Sequence, residues 1–324
     1  MSSWSEFGLR STHLPQEPLD ETTRAARHLP LTLRPVAGAD VRQRAVFDPS
    51  LRHHFQAYRA GDPVFDDPDR TVAWARARRA AMDAVLVALA GSPWVDSLVL
   101  RGSVLLADRF GEASREPGDL DFVVVPSTWA MEGARTRAML DGIAAAADGQ
   151  AGIKASGAVC EDIWTYDRVP GRRMVLPWSV PGLPAGQVQM DFVFNEKLAE
   201  PPEPVELSCG ATVLAATPAL SLAWKVLWLV SDRHPQGKDL YDAVLLAERY
   251  ALPNALVQEV FREAGEWPYP NNELTLAHIA HLAPDGYVGA EWEHFEAEYP
   301  HLAGPGEEAF IARLVEALRP TFAE

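Results

Sequence analysis

The stretch Leu100–Val125 reads LRGSVLLADRFGEASREPGDLDFVVV, and its pattern governs the interpretation of the whole chain. An apolar strand runs into Gly102-Ser103, and a second apolar strand opens with Asp119 and Asp121. Positions i and i+2 of a strand share one face, so the two carboxylates are expected side by side. Paired carboxylates that face a glycine-serine turn are typical of a magnesium-bound triphosphate site, because magnesium takes one or two carboxylates together with substrate phosphates.

The Gly102-Ser103 turn has phosphate chemistry of its own. Glycine lets the backbone come close to a phosphate, and Ser103 offers both an N–H and a hydroxyl. The alternative is that Asp119 ends the preceding Pro-Gly turn and Asp121 lies on a solvated strand face. The strand and turn that come before, with the carboxylate and the lysine described below, favour the phosphate interpretation.

The composition is that of a globular protein. With 324 residues, 48% of them hydrophobic, the chain is long enough for two domains with a substantial core. It has no apolar run of about 18 residues that spans a bilayer, and its first ten residues lack the apolar segment of a secretory signal. Cys160 and Cys209 are too few for a disulfide framework or a structural zinc site. We therefore expect a soluble, cytoplasmic protein that does not bind membranes.

The charge and the missing motifs exclude some functions. A net charge of −16 argues against a tight, nonspecific grip on long nucleic acid, since phosphate contacts favour basic patches. The densest basic cluster, Arg76, Arg78 and Arg79, has helical spacing and is interpreted as a solvated face rather than an RNA contact. Neither a dinucleotide-binding fingerprint nor a Walker A loop occurs, so an NAD enzyme and a P-loop ATPase are not supported.

Three regions are expected along the chain. Residues 1–68 are rich in proline and polar residues and predict an N-terminal extension, packed on the core, of unknown role. Residues 69–200 are predicted to form the catalytic domain, with helices over 70–90 and 132–147. Residues 201–324 predict a mainly helical C-terminal domain, and the proline-rich stretch 199–207 is interpreted as a linker.

A predicted hairpin and a third strand complete the catalytic domain. The hairpin joins Asp162–Arg168 to Arg172–Trp178 through a Pro170-Gly171 turn. The strand Gln187–Asn195 alternates apolar and polar residues, with Asp191 on the polar face. A third carboxylate beside the first two would allow a two-metal arrangement, in which one ion activates the attacking hydroxyl and the other holds the triphosphate. An ordinary exposed strand carboxylate is the equal alternative.

Lys225 is the next informative residue. It is the only charge before the last residue of the predicted helix Pro218–Asp232, PALSLAWKVLWLVSD. A lysine on so apolar a helix needs a counter-charge or must extend its ammonium group to water. A polyphosphate is a natural counter-charge for a compact ammonium group.

The segment after that helix adds one more candidate. Asp239 and Asp242 lie in KDLYDAVLLAERY, close to the start of the next helix. Asp239 is either a helix-start carboxylate that complements the helix dipole or, with Lys225, part of the nucleotide or acceptor site. The spacing does not decide between the two.

These motifs together resemble a known family. The combination of RGS, DLD, an apolar helix with a central lysine and a following KDLYD resembles the AbiEii/AbiGii nucleotidyltransferases. These are polymerase-β-like enzymes found as toxins of type IV toxin–antitoxin systems. The resemblance covers roughly residues 70–250.

The resemblance implies a role for each matching residue. Gly102 and Ser103 would cradle the β- and γ-phosphates, while Asp119 and Asp121 would ligate magnesium. Asp191 is a candidate third ligand from its own strand pattern. The remaining implied positions are Lys225, which would neutralise the triphosphate, Asp239 as a further acid of the catalytic site, and Arg115 as a phosphate contact.

We therefore expect an α+β fold with a mixed, mainly antiparallel polymerase-β-like sheet, flanking helices and a helical C-terminal domain. The predicted reaction moves an NMP from a magnesium-bound NTP to an acceptor hydroxyl, which the resemblance identifies as a tRNA 3′ end, and an antitoxin would be the partner. A small-molecule or protein acceptor, a non-catalytic NTP-binding module and a magnesium phosphohydrolase are the alternatives.

Overall fold

A computed structural model of the chain describes residues 3–8, 10–166, 169–265, 273–282 and 287–323, with the backbone alone at residues 166 and 287–291. The chain divides into two units, each discontinuous in sequence. The first unit comprises Met1–Leu98, Asp119–Asn195 and Glu206–Val213, and the second comprises Val99–Gly118, Glu196–Val205 and Leu214–Glu324. The domain boundaries that the sequence places near residues 68 and 200 stay predictions.

Strands and helices both contribute to the fold. The strands are β1 Val41–Arg42, β2 Ala45–Phe47, β3 Tyr58–Ala60, β4 Val64–Phe65, β5 Leu98–Arg101, β6 Leu120–Val124, β7 Val159–Tyr166, β8 Val169–Trp178, β9 Gly186–Val193, β10 Glu203–Glu206 and β11 Thr212–Ala215. The α-helices are α1 Glu21–Arg27, α2 Pro68–Ala90, α3 Ser103–Phe110, α4 Ala134–Ala147, α5 Pro218–Ser231, α6 Gly237–Arg249, α7 Asn254–Ala264, α8 Leu276–Ala280, α9 Tyr287–Glu298 and α10 Glu307–Phe322.

The main sheet of the first unit is mixed. Its strands lie in the order β6-β9-β8-β7, with β6 and β9 parallel and the other two pairs antiparallel. Apolar residues alternate along β6 and β9, so Leu120 pairs with Met190 and Phe122 stacks on Phe192 with ring centroids 5.5 Å apart. Helix α2 packs against α4 and β9 and covers apolar side chains that the alternation directs away from water.

The N-terminal extension folds on this unit. Strand β1 pairs with β4, and β2 pairs with β3, both antiparallel. Trp4, Phe7 and Tyr58 belong to a small hydrophobic cluster of the extension itself, and Leu51 packs with Ile163 of β7. The expected packing of the extension on the core is therefore observed.

The second unit carries most of the helices. Strand β5 pairs in parallel with β11, which also neighbours β10. Helix α5 packs against α6 and α7, while α10 packs against α6 and α8. Over the ranges that the structure describes, no helix is both long and apolar enough to cross a membrane.

Some local predictions need correction. Pro170-Gly171 is not a turn but lies inside β8, where Gly171 pairs with Ile163 and Val193. A Cβ at Gly171 would meet the Cγ1 of Ile163 at 2.7 Å, so the glycine permits close strand approach. Arg168, the expected end of the preceding strand, lies outside the described residues.

Two more expectations change in the structure. The stretch 199–207, expected as a linker, contains strand β10. Arg78, expected on a solvated helix face, is buried and pairs with Asp62 at 2.6 Å. The predicted helices over 70–90 and 218–232 agree with α2 and α5 to within two residues at each end.

Candidate active site

The first unit gathers three carboxylates, Asp119, Asp121 and Asp191, which we call the carboxylate cluster. One oxygen from each lies within 4.8 Å of the others. Asp119 directly precedes β6, and Asp121 on β6 pairs in register with Asp191 on β9. Directly paired residues of neighbouring strands project to the same face of a sheet. The structure thus brings together the three carboxylates that the sequence singled out.

The carboxylate cluster suits a hard divalent cation. Its donors are all carboxylate oxygens, the ligands that magnesium prefers. Asp119 and Asp121 are half-buried, and Asp191 is buried. Burial raises the pKa of Asp191 above its ordinary value, even though Arg173 lowers it. A bound cation would relieve the mutual repulsion of the three carboxylates, so these residues fit a magnesium ion.

Arg173 on β8 holds Asp191 in place. Its Nε donates to Oδ1 of Asp191 at 2.8 Å, and its Nη2 donates to Oδ2 at 2.7 Å. Its Nη1 donates to Oδ2 of Asp48 at 2.6 Å, and Nη2 also reaches Oγ of Ser50 at 3.0 Å. Arg173 is only 3% exposed. Burial lowers the pKa of Arg173, but Asp191 and Asp48 outweigh this effect and raise the pKa well above its ordinary value. The guanidinium therefore stays charged.

Four charged residues form one line across the sheet, which we call the charged row. Asp121 pairs with Asp191, Asp191 with Arg173, and Arg173 with Glu161 of β7. The register therefore aligns two carboxylates, one guanidinium and a third carboxylate on a single face. The opposite face of β6 and β9 carries buried apolar side chains, so in these two strands the alternation separates the hydrophobic core from this chemistry.

Glu161 ends the charged row in contact with the N-terminal extension. It accepts hydrogen bonds from the backbone N–H groups of Leu31 and Thr32 at 2.9 and 2.8 Å, from the Thr32 hydroxyl and from His54 Nε2 at 3.1 Å. Burial raises the pKa of Glu161, but hydrogen bonds from His54, Thr32 and Leu31 outweigh this effect and lower the pKa to about 2. Although Glu161 with His53 and His54 has metal-ligand spacing, its two oxygens already accept four hydrogen bonds, as many as they offer. We interpret this group as an anchor.

In the second unit, Gly102 and Ser103 connect β5 to α3. Gly102 has φ +82° and ψ −155°, a region that is essentially reserved for glycine. Ser103 opens α3 and is 1% exposed, and its Oγ has no hydrogen-bond partner within the described part of the chain. A buried hydroxyl without a partner is costly, and an approaching acceptor would satisfy it. The turn therefore has a backbone conformation that favours glycine and a hydroxyl that can serve as a donor, while phosphate binding there stays a prediction.

Lys225 does not extend to water. It is buried on α5, and its Nζ lies 2.6 Å from Oδ1 of Asp239 and 3.0 Å from Oδ2 of Asp242. The two aspartates are three residues apart on α6 and so share one helix face. Burial lowers the pKa of Lys225, but Asp239 and Asp242 more than reverse this effect and raise it. The counter-charge that the sequence demanded is supplied by the protein itself.

Arg115 completes this group, which we call the lysine cluster and define as Lys225, Arg115, Asp239 and Asp242. The Nε of Arg115 donates to Oδ1 of Asp242 at 3.1 Å, and Nη2 donates to Oδ2 at 3.0 Å. Burial raises the pKa of Asp242, but Arg115 and Lys225 outweigh it and lower the pKa. The guanidinium that was expected at a phosphate is thus bonded to a carboxylate.

The predicted site residues fall into two groups. The first unit holds Asp119, Asp121 and Asp191, and the second holds Gly102, Ser103, Arg115, Lys225 and Asp239. No role was predicted from the sequence for Arg173, Asp48 or Asp242. Asp242 was accessible from sequence, because it lies three residues after Asp239 in a helical pattern. Arg173 and Asp48 were not, because only the strand register and the fold of the extension bring them to Asp191.

Comparison with known proteins identifies one family. A family model described as the nucleotidyl transferase AbiEii toxin of a type IV toxin–antitoxin system matches residues 84–319, which is well over half of the chain. A search of curated proteins finds no match.

Proposed function

Since the chain belongs to the AbiEii family of nucleotidyl transferase toxins of type IV toxin–antitoxin systems, we propose that it moves an NMP from an NTP to an acceptor hydroxyl in a magnesium-dependent reaction. The observation that carries the proposal is the carboxylate cluster, where strand register joins Asp121 to Asp191 beside Asp119. Membership in the family supports nucleotidyl transfer, and the carboxylate cluster adds support for the metal dependence of that reaction.

In this proposal Asp119, Asp121 and Asp191 hold the metal through carboxylate oxygens. When bound, magnesium supplies positive charge for the triphosphate and lowers the pKa of the attacking hydroxyl. The acceptor oxygen forms a bond to the α-phosphorus, the bond from that phosphorus to the bridging oxygen breaks, and pyrophosphate leaves. Asp191 or one of the paired aspartates accepts the proton of the hydroxyl.

For residues of the second unit, phosphate binding is proposed from their own chemistry. Gly102 lets the backbone approach the triphosphate, and Ser103 offers its hydroxyl and the N–H at the start of α3. Lys225 neutralises phosphate charge, and Asp239 fixes the position of its ammonium group. For Arg115, the bidentate bond to Asp242 supports a positioning role more directly than phosphate contact.

The acceptor is proposed from the family. The resemblance implies a tRNA 3′ end, and membership in a toxin–antitoxin family implies a cognate antitoxin. The net charge of −16 favours the alternative of a small-molecule or protein acceptor, because RNA binding gains from basic surfaces. Both alternatives use the same chemistry at the α-phosphate.

The proposal is tested by incubating the protein with magnesium and each α-labelled NTP, with and without total tRNA. We expect label on tRNA with the wild type and its loss with Asp121→Ala. The matched control is Asp66→Asn, which changes a carboxylate whose side chain is 72% exposed. NTP consumption without labelled RNA would redirect the acceptor to a small molecule or a protein. If no NTP is consumed, or Asp121→Ala has no effect, the enzyme proposal is wrong.

A further inference from the structure

The N-terminal extension contacts the charged row at two points. At Glu161 it supplies Leu31, Thr32 and His54, and at Arg173 it supplies Asp48 and Ser50. The family model begins at residue 84, so these contacts come from a part of the chain outside the matched region. The extension is thus bonded to a residue that itself bonds to the carboxylate cluster.

Asp48 is built to hold Arg173. It begins the short 3₁₀ helix Pro49–Leu51, and its Oδ1 accepts from the N–H and the hydroxyl of Ser50 at 3.1 and 2.6 Å. Those bonds leave Oδ2 directed at Arg173, 2.6 Å away. Asp48 is therefore fixed by its own helix cap before it binds the guanidinium.

Arg173 is shared between the extension and the carboxylate cluster. Its Nε and one Nη2 bond go to Asp191, and further bonds from Nη1 and Nη2 go to Asp48 and Ser50. A planar guanidinium held along several edges fixes the orientation of the carboxylate that it binds. The orientation of Asp191 therefore depends on the bonds made by the extension.

The same arrangement sets the charge near a bound cation. With Asp48 in place, the positive charge of Arg173 is divided between two carboxylates. Without it, one of the two carboxylates bonded to Arg173 would be lost, and the potential at the carboxylate cluster would become less negative. Electrostatic energies of buried groups remain appreciable over several ångströms, so a divalent cation would bind less tightly.

We propose that Asp48 is a positioning residue that acts through Arg173 to orient Asp191 and to keep the carboxylate cluster negative enough for a divalent cation. The proposal rests on the metal dependence within the proposed function. It gives the extension a role in the reaction that is separate from its contribution to the fold. Arg173 transmits this effect, and Asp48 does not contact the substrate or the metal.

The variant that tests this is Asp48→Asn. Asparagine is a good helix cap and nearly the same shape, so the change removes the charge while the cap can persist. Asp48→Glu keeps the charge and should restore binding toward the wild-type value. Asp62→Asn is the matched control, because Asp62 also belongs to the extension and pairs with a buried arginine, Arg78, at the same 2.6 Å.

The first measurement is titration of the full-length protein with Mn²⁺ alone, followed by electron paramagnetic resonance. Asp48→Asn should weaken Mn²⁺ binding on the order of tenfold, while Asp62→Asn should not. The second measurement is the magnesium dependence of NMP transfer, where Asp48→Asn should raise the half-saturating concentration more than it lowers kcat. Thermal unfolding of each variant shows how far the extension is loosened.

Each outcome decides the proposal. If Asp48→Asn binds Mn²⁺ like the wild type, or Asp62→Asn weakens binding equally, the extension only stabilises the fold and the inference is wrong. If the wild type binds no Mn²⁺, the inference and the metal premise both fail. A Mn²⁺ shift specific to Asp48→Asn supports the inference even if the wild type transfers no NMP, which would contradict the proposed function alone.

Discussion

The carboxylate cluster and the lysine cluster both bury charged groups, but they balance charge differently. In the first, Asp119, Asp121 and Asp191 crowd together, and Arg173 bonds to Asp191. In the second, two cations are bonded to two carboxylates. A crowded set of carboxylates gains from an added cation, whereas paired charges are already satisfied. The carboxylate cluster therefore gains from an added cation, whereas the lysine cluster is balanced by its own ion pairs, which hold the Lys225 ammonium group in position.

The largest effect should come from the carboxylate cluster. Asp121→Asn removes one proposed metal ligand, and we expect NMP transfer to fall on the order of 10³-fold because charge stabilisation at the reacting phosphate is lost. The free energy of unfolding should stay constant or increase, since repulsion from the neighbouring carboxylates decreases. Transfer assays and urea denaturation, with Asp66→Asn as control, measure both. A large loss of stability with Asp121→Asn would erase the contrast between the clusters.

Lys225→Met should lower the free energy of unfolding, in contrast to Asp121→Asn. Removing one member of a buried ion pair leaves an uncompensated charge, so we expect about 3–5 kcal/mol of lost stability. Lys225→Met with Asp239→Asn restores charge balance and should recover part of the loss. Urea denaturation measures each, and Lys197→Met, which removes an ammonium that is 67% exposed, should cost less than about 1 kcal/mol. Equal costs at both lysines would contradict the structural role of the lysine cluster.

Glu161→Gln tests whether the outer end of the charged row behaves like the lysine cluster. The folded pKa of Glu161 is about 2 against an ordinary value of 4.5. The contribution of the Glu161 carboxylate to the free energy of unfolding is therefore fully present above about pH 4.5 and is lost as the pH falls toward 2. One pKa unit corresponds to about 1.4 kcal/mol. We therefore expect the free energy of unfolding of the wild type to exceed that of Glu161→Gln by about 3 kcal/mol at pH 6.

The measurement for Glu161 is the difference in unfolding free energy between wild type and Glu161→Gln at pH 6, 4 and 3. That difference should shrink as the pH falls, whatever other groups titrate in both proteins. A difference that stays constant over this range would show that the carboxylate charge does not anchor the extension.

The smallest of these effects concerns Gly102 in the second unit. Alanine there must adopt φ +82° and ψ −155°, which costs on the order of 1–3 kcal/mol. Gly118 is the matched control, since a Cβ there meets no atom within 4 Å. Gly118→Ala should change the free energy of unfolding by less than about 1 kcal/mol. If urea denaturation gives the two alanine variants equal stability, the glycine at 102 has no conformational role.

Local periodicity predicted much of the fold. The alternation in Gln187–Asn195 anticipated β9, with Asp191 on the polar face, and the apolar run around Lys225 anticipated α5. These patterns reflect burial of one strand face or one helix, which neighbouring residues in the sequence report directly. The prediction of a turn at Pro170-Gly171 was wrong because hydrogen-bonded pairing with both neighbouring strands outweighs the turn propensity of these two residues.

The partners of the site residues could not be predicted in the same way. Arg173 meets Asp191 through the register of β8 and β9, and no local pattern encodes register. Asp48 lies in a segment without long periodicity, so its approach to Arg173 depends on how the extension folds. Lys225 correctly demanded a counter-charge, but its pattern did not say whether a phosphate or a carboxylate would supply it.

The alternation of side chains along β8 and β9 also restricts how this protein and its relatives can change in length. Inserting one residue within β9 before Asp191 would turn its carboxylate toward the face that carries Met190 and Phe192, and would bring an apolar side chain to the carboxylate cluster. Insertions in the connection between the two strands, residues 179–185, do not change which face each strand residue occupies. We therefore expect length variation among relatives to concentrate in the 179–185 connection and to be excluded from the strands that carry Arg173 and Asp191.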